Sequence, residues 1–132
     1  MNAPKVFISY SHNDSEWLRE FAEALRKSNI NVWFDEWQVK AGDSLQEALE
    51  KGMRESDAII IVVSSANVRS PSVLFELGSA LGMRKQLIPI LAQDLESSAI
   101  PYSLRSRRYI VKRTPEETAR EVASALTAAK AG

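Results

Sequence analysis

The chain has 132 residues, 45% of them hydrophobic and 26% charged, with 17 Lys plus Arg against 17 Asp plus Glu and no cysteine. That length fits a single domain over 1–132, with a core from about 5 to 127, and the composition is that of a folded rather than a disordered chain. Zero formal net charge removes any general attraction to nucleic acid or anionic lipid, and the lack of cysteine excludes disulfides, thiol redox chemistry and thiolate metal sites.

No stretch approaches the ~20 apolar residues of a membrane span, and the opening residues Met1 to Lys5 lack the apolar run of a signal peptide. The expected setting is cytoplasmic, with no membrane partner. Arg105, Arg107 and Arg108 form the one local basic cluster, read as a solvated edge rather than a phosphate site, so no nucleic-acid partner is expected.

In chain order, Val6 to Ile8 reads as a buried first strand ending at Ser9, Tyr10 and Ser11. Asn13, with Glu16 three residues on, can cap a first helix. Its apolar residues Trp17, Leu18, Phe21, Ala22 and Leu25 repeat at helical spacing to about Lys27. A second strand runs from Ile30 to Phe34. Residues 37–43 have no clean period and read as a loop in which Gly42 is free to take positive φ. Ser44 and Glu47 then form a capping box for a second helix with Leu45, Ala48, Leu49 and Met53 on its apolar stripe, closed by Ser56 and Asp57.

Ala58 to Val63 is apolar without alternation, the pattern of a central strand buried on both faces of a parallel sheet. Ser70 and Pro71 start a third helix ending near Met83. Leu87 to Leu91 is a fourth strand, whose Pro89 argues for an edge or irregular position. Arg108 to Val111 is a short fifth strand. Thr114, Pro115, Glu116 and Glu117 open a last helix with Val122 and Leu126 on its buried face, after which the tail is expected to fray.

Strands alternating with helices at this spacing predict βαβ units: a flavodoxin-like α/β domain of three layers, with a five-stranded parallel sheet flanked by helices. The functional crevice of such a sheet lies beyond the carboxyl ends of its strands, here at residues 9–13, 35–44, 64–72 and 92–102.

The chain has neither a GxGxxG turn after the first strand nor a GxxxxGK[ST] phosphate loop. His12 is the sole histidine, which excludes His-based zinc clusters and leaves a Ser-His-Asp triad little footing; it reads as a loop residue, and no metal site is expected. Glu76 is the only charge from Pro71 to Met83. On a helical projection it shares a face with Ser72, Ser79, Ala80 and Met83, away from Leu74, Leu77 and Leu81. It is either a carboxylate in a cavity wall or an exposed Glu that favours the helix. Ser9, Tyr10 and Ser11 offer hydroxyls and a ring where a ligand would lie. Trp33, Phe34 and Trp37 flank Asp35 and Glu36, a grouping able to stack a flat ring and bind a ribose. Since Trp33 and Phe34 point to opposite faces, at least one belongs to the core.

These landmarks, in this order, resemble the Toll/interleukin-1 receptor (TIR) family. Phe7 to Ser11 looks like its first box, Val32 to Asp35 followed by Val39 to Ser44 looks like its second strand and BB loop, and Ser70 to Leu77 looks like the helix that carries the catalytic glutamate in NAD-cleaving members. The resemblance continues through Ile88, Pro89 and Ile90 and covers Lys5 to about Leu126. It implies an NAD+ glycohydrolase that gives nicotinamide and ADP-ribose or a cyclic isomer, with NAD+ as substrate and no cofactor, in bacterial defence or virulence signalling.

The resemblance also implies roles for single residues. Glu76 would be catalytic. Substrate-binding positions would be Ser9, Tyr10, Ser11, Asp35, Trp37, Lys40, Gly42 and Ser72, and residues Trp37 to Ser44 would mediate self-association and contact with TIR-containing or effector partners. The chain departs from the pattern at Ser72, where many NAD-cleaving members carry an aromatic residue four positions before the glutamate. The stacking surface would then come from Trp37, Phe75 or a neighbouring subunit. The alternatives are a non-catalytic TIR module working by homotypic contact and a nucleoside deoxyribosyltransferase-like enzyme. A phosphorylation receiver domain is rejected because Ser9 to Ser11 and Ser64, Ser65 stand where it needs acidic residues.

Overall fold

The computed structural model describes residues 4–8, 15–34, 42, 44–65, 68, 83–96, 98, 100 and 109–131. Within them run β1 (Lys5–Ile8), α1 (Ser15–Lys27), β2 (Asn31–Phe34), α2 (Leu45–Glu55), β3 (Ala58–Val63), β4 (Gln86–Leu91), β5 (Ile110–Val111) and α3 (Pro115–Ala131). All strand pairs are parallel, in the order β2-β1-β3-β4-β5, so the continuous apolar run Ala58–Val63 is the middle strand. Each of its six residues is buried.

Alternate strand residues feed two cores, as the two-residue period of a strand requires. On one face Val6, Ile8, Phe34, Ile60, Val62 and Ile90 pack against Leu18, Phe21 and Leu25 of α1 and Ala119, Val122 and Leu126 of α3. On the other, Phe7, Trp33, Ile59, Ile61, Val63 and Leu91 meet Met53 of α2, with Val68 and Ile100. Trp17, half-buried at the edge of the first core, stacks on Phe21 with ring centroids 5.0 Å apart and donates its Nε1 hydrogen to the Arg113 carbonyl at 2.9 Å. Lys112 Nζ sits 4.8 Å from the Trp17 ring centroid, a cation over an aromatic face.

Local chemistry ends each element. α1 closes with Asn29 at φ 64; the Asn29 amide donates to the Arg26 carbonyl at 3.0 Å and the Ile30 amide to the Leu25 carbonyl at 3.2 Å. This is the Schellman arrangement, and asparagine tolerates its left-handed residue. Leu25 and Ile30 share the same core, which fixes the direction in which the chain enters β2. The expected capping of α2 holds: the Ser44 side chain accepts from the Glu47 amide at 3.4 Å. Thr114 likewise accepts from the Glu117 amide at 3.2 Å and donates to Glu117 Oε1 at 2.9 Å. α1 begins at Ser15, and its expected cap Asn13 lies outside the described residues. The helix expected over 71–83 lies outside them as well, except for Met83.

Two expectations are corrected. β4 is an interior strand, bonded to β3 and β5, despite Pro89. The Ala92 amide bonds Val63 of β3, whereas the Leu91 carbonyl receives the Lys112 amide on the β5 side. Alternation therefore turns position 89 toward β5. The β4–β5 ladder starts only at Ile90 opposite Ile110, one residue later, so the missing proline N–H deprives no ladder bond. The fifth strand is correspondingly shorter than expected. Second, the tail does not stop at Leu126: α3 continues to Ala131, through an alanine-rich stretch with high helix propensity.

Truncating the middle strand should be severe because both sides are covered. Ile60→Ala is expected to lose about 3 to 4 kcal/mol, and Thr114→Ala, which removes only a cap, about 1 kcal/mol. Urea denaturation at an unchanged m-value measures both.

Candidate functional site

After β1 the chain crosses to one side of it to form β2, then returns past it to form β3 on the other side. The order reverses at β1, and the gap between the carboxyl ends of β1 and β3 is where a ligand enters an open parallel sheet of this kind. Ile8, fully buried, ends β1 and hands the chain to Ser9, Tyr10 and Ser11; Val63, also buried, ends β3 and hands it to Ser64 and Ser65. β2 ends at Phe34, so Asp35 opens the stretch that closes at Ser44, the cap of α2.

The β3 side of this rim is held by described contacts. The Val68 amide donates to the Ser64 carbonyl at 2.9 Å, and Val68 is buried in the second core. Ser65 Oγ donates to Asp94 Oδ2 at 3.0 Å, joining the β3 exit to the β4 exit. Gln93 Nε2 donates to the Lys112 carbonyl at 3.0 Å, joining the β4 exit to the β5 exit. The carboxyl ends of these three strands thus form one hydrogen-bonded edge beside the gap.

Of the expected site residues, Gly42 is described: it is exposed, with φ +93, the positive value that its loop reading requires, and an added Cβ would meet nothing within 4 Å. Ser9, Tyr10, Ser11, Asp35, Trp37, Lys40, Ser72 and Glu76 lie outside the described residues, as do His12, Arg105, Arg107 and Arg108. Trp33 and Phe34 are both core, 7% and 0% exposed on opposite faces, with Trp33 stacked on Phe7 at 4.8 Å. Of the three aromatic residues around Asp35, only Trp37 is then left for a ligand.

A cleft of ≈ 350 Å³ opens at the exits of β4 and β5, lined by Leu91, Gln93, Ile100, Tyr109, Val111 and Arg113 among others. Tyr109, 50% exposed, is the one large exposed apolar residue among those described. None of its described lining residues is a carboxylate, and it lies at the β4 and β5 exits rather than at the β1–β3 gap. The sequence reading placed 92–102 on the crevice but missed Tyr109, Val111 and Arg113, which join that stretch only once β4 and β5 have paired. Among the described residues no helix is long and apolar enough to cross a membrane.

The fold and sequence have known counterparts. The family model for the TIR domain matches residues 6–129. A 2′ cyclic ADP-D-ribose synthase of Acinetobacter baumannii, AbTIR, is 28% identical over 126 residues, which cover 92% of this chain and 47% of that protein. The NAD(+) hydrolase TcpA of a Theionarchaea archaeon is 40% identical over 60 residues, covering 45% of this chain and 18% of that one. This chain therefore spans about half the length of the first relative and less of the second. Among solved structures, the TIR domain of the Toll-related receptor TRR-2 from Hydra magnipapillata matches with a TM-score of 0.69 over 80% of this chain and 82% of its own, at 24% identity, a likeness of fold. With the family model matched along nearly its whole length and the five-stranded parallel sheet in the order β2-β1-β3-β4-β5, the chain belongs to the TIR domain family.

Proposed function

We propose that this domain cleaves NAD+ at the bond between nicotinamide and ribose, with Glu76 as the catalytic residue. The observation that carries the reading is the similarity of nearly the whole chain, 92% of it, to a 2′ cyclic ADP-D-ribose synthase. The isolated carboxylate of Glu76 in a segment that leaves β3 beside the β1–β3 gap supports the assignment. The C1′–N bond breaks with its electron pair leaving on neutral nicotinamide, and the ribose becomes an oxocarbenium-like cation. Such a reaction calls for a fixed anion and an acceptor for the ribose hydroxyls more than for a strong base.

Water adding at C1′, with loss of a proton, gives ADP-ribose; a hydroxyl of the same molecule adding there gives a cyclic isomer. Ser9, Tyr10, Ser11, Asp35, Trp37, Lys40 and Ser72 would bind the nucleotide around Glu76. NAD+ is consumed as substrate, and the scheme calls for no cofactor. An NAD+ substrate fits a cytoplasmic setting, and residues Trp37 to Ser44 would carry self-association and contact with partner TIR domains. One observation favours a second reading, a module that acts only by homotypic contact: Ser72, four positions before Glu76, is not aromatic.

Nicotinamide release from NAD+ at high protein concentration decides between them. A unit charge ~4 Å from the developing cation, at an effective dielectric near 20, contributes about 4 kcal/mol, so Glu76→Ala is expected to slow release by roughly a thousandfold while its circular dichroism stays native. No release by the folded wild type would leave the module reading. Separately, proline holds φ near −65° and cannot adopt the +93° of Gly42. Gly42→Pro is therefore expected to abolish concentration-dependent association in sedimentation velocity, and unchanged association would remove the interface from this loop.

A further inference from the structure

The cleft at the exits of β4 and β5 is built by strand pairing. Its volume, ≈ 350 Å³, lies at the lower end of the range of small-molecule sites, room for a ligand of one or two rings. Val111 is the register partner of Leu91, and the two-residue period places Tyr109 and Val111 on the face that Leu91 buries in the second core. Ile100 belongs to that core and Leu95 packs against it, so the floor is aliphatic.

The rim has a different chemistry. Tyr109 is 50% exposed, and among the described residues neither its ring nor its hydroxyl has a partner. Gln93 donates Nε2 to the Lys112 carbonyl at 3.0 Å, which fixes its amide at the mouth. Arg113 is the one charged residue of the described lining. Its backbone is held on both sides: the amide donates to Thr118 Oγ1 at 3.0 Å and the carbonyl accepts from Trp17 Nε1 at 2.9 Å. Its Nη1 donates to Glu121 Oε1 on α3, and the guanidinium carries further donors in a planar fork that matches a carboxylate.

We propose that this cleft binds a small planar monocarboxylate, with the ring on Tyr109 and the aliphatic floor and the carboxylate on Arg113. Three features select that chemistry. The unpartnered Tyr109 ring offers a flat face for stacking. A lone cation, with no carboxylate among the described lining residues, favours an anion over a neutral or cationic ligand. That cation is already shared with Glu121, so it suits one negative charge better than a phosphate dianion. The hydrogen bond from Trp17 to the Arg113 carbonyl makes the Trp17 indole a reporter of what Arg113 holds.

The test is a nuclear magnetic resonance titration of the isotope-labelled domain with indoleacetate, its neutral isostere indoleacetamide, and phenyl phosphate. Indoleacetate is expected to saturate with a dissociation constant below about 1 mM, shifting the amides of Gln93, Tyr109 and Val111 and the Trp17 indole N–H. Indoleacetamide should bind roughly tenfold more weakly, and phenyl phosphate more weakly than indoleacetate. Arg113→Gln should weaken indoleacetate about tenfold and Tyr109→Ala about fivefold. Both side chains are about half exposed, so each variant keeps the wild-type fold, which thermal unfolding checks. Glu121→Gln removes the competitor for Arg113 and should tighten binding about threefold. Equal binding of the acid and its amide, shifts confined to residues outside the cleft, or an affinity that Arg113→Gln and Glu121→Gln leave unchanged overturns the proposal. So does an affinity that falls as the protein concentration rises, because a second copy of the chain would then be covering the cleft.

Discussion

The burial of β3 on both faces is the constraint from which the rest of the structure follows. Six consecutive apolar residues, Ala58–Val63, cannot leave either side of the sheet in water. Ile60 and Val62 therefore face α1 and α3, while Ile59, Ile61 and Val63 face α2 and the residues near it. Covering two faces with helices obliges the chain to cross over between parallel strands, and the crossovers put β1 and β4 on the two flanks of β3. The edges that remain are short: four residues in β2 and two in β5. Short edges offer little ladder to an unwanted strand.

The same constraint separates a closed end of the sheet from an open one. At the amino ends the returns are tight and locally bonded. Asn29 turns α1 into β2 through a Schellman motif, and Ser56 and Asp57 turn α2 into β3. Asp57 accepts the Lys5 amide on Oδ2 at 2.9 Å and donates its own amide to the Lys5 carbonyl at 2.7 Å, clamping the starts of β1 and β3. At the carboxyl ends, β1 is joined to α1 through residues 9–14 and β2 to α2 through residues 35–44. Clamped starts leave the exits as the part of the sheet in which length and chemistry can vary without loosening the core.

How much of this the sequence discloses depends on whether the governing contact is local. The middle strand, the Ser44 and Thr114 caps and the buried stripe of α1 are legible because period, propensity and capping act within a few residues. Pro89 misleads because the rule about proline concerns a donor, and the side of the strand to which that donor would point is known only from the register with β3 and β5. Gly52 is visible as an odd residue inside a helical pattern, but its cause, the Trp33 indole, lies 19 residues back in the chain, across the α2–β2 contact. The positive φ of Gly42 was readable, since glycine is the residue that makes it cheap. The roles proposed for Glu76, Tyr10 and Asp35 rest only on the order of their motifs, because a carboxylate, a phenol and a loop acid have no period to betray them.

A site of this kind divides its requirements between loop and scaffold. In the reaction proposed, stabilising an oxocarbenium-like ribose is electrostatic, and its strength falls with distance and with exposure to water, so a carboxylate that does this would have to be held where charge develops. Residues on long exits cannot hold themselves there; their precision is borrowed from what anchors the exits. The anchors here are specific: Val68 buried under the β3 exit, Ser65 bonded to Asp94, Ser44 capping α2, and the Trp33 indole fitted against Gly52. Each is a contact between an exit and the core or a neighbouring exit. A TIR domain can thus vary the residues on its exits while the anchors keep the ends of the strands in register with the sheet.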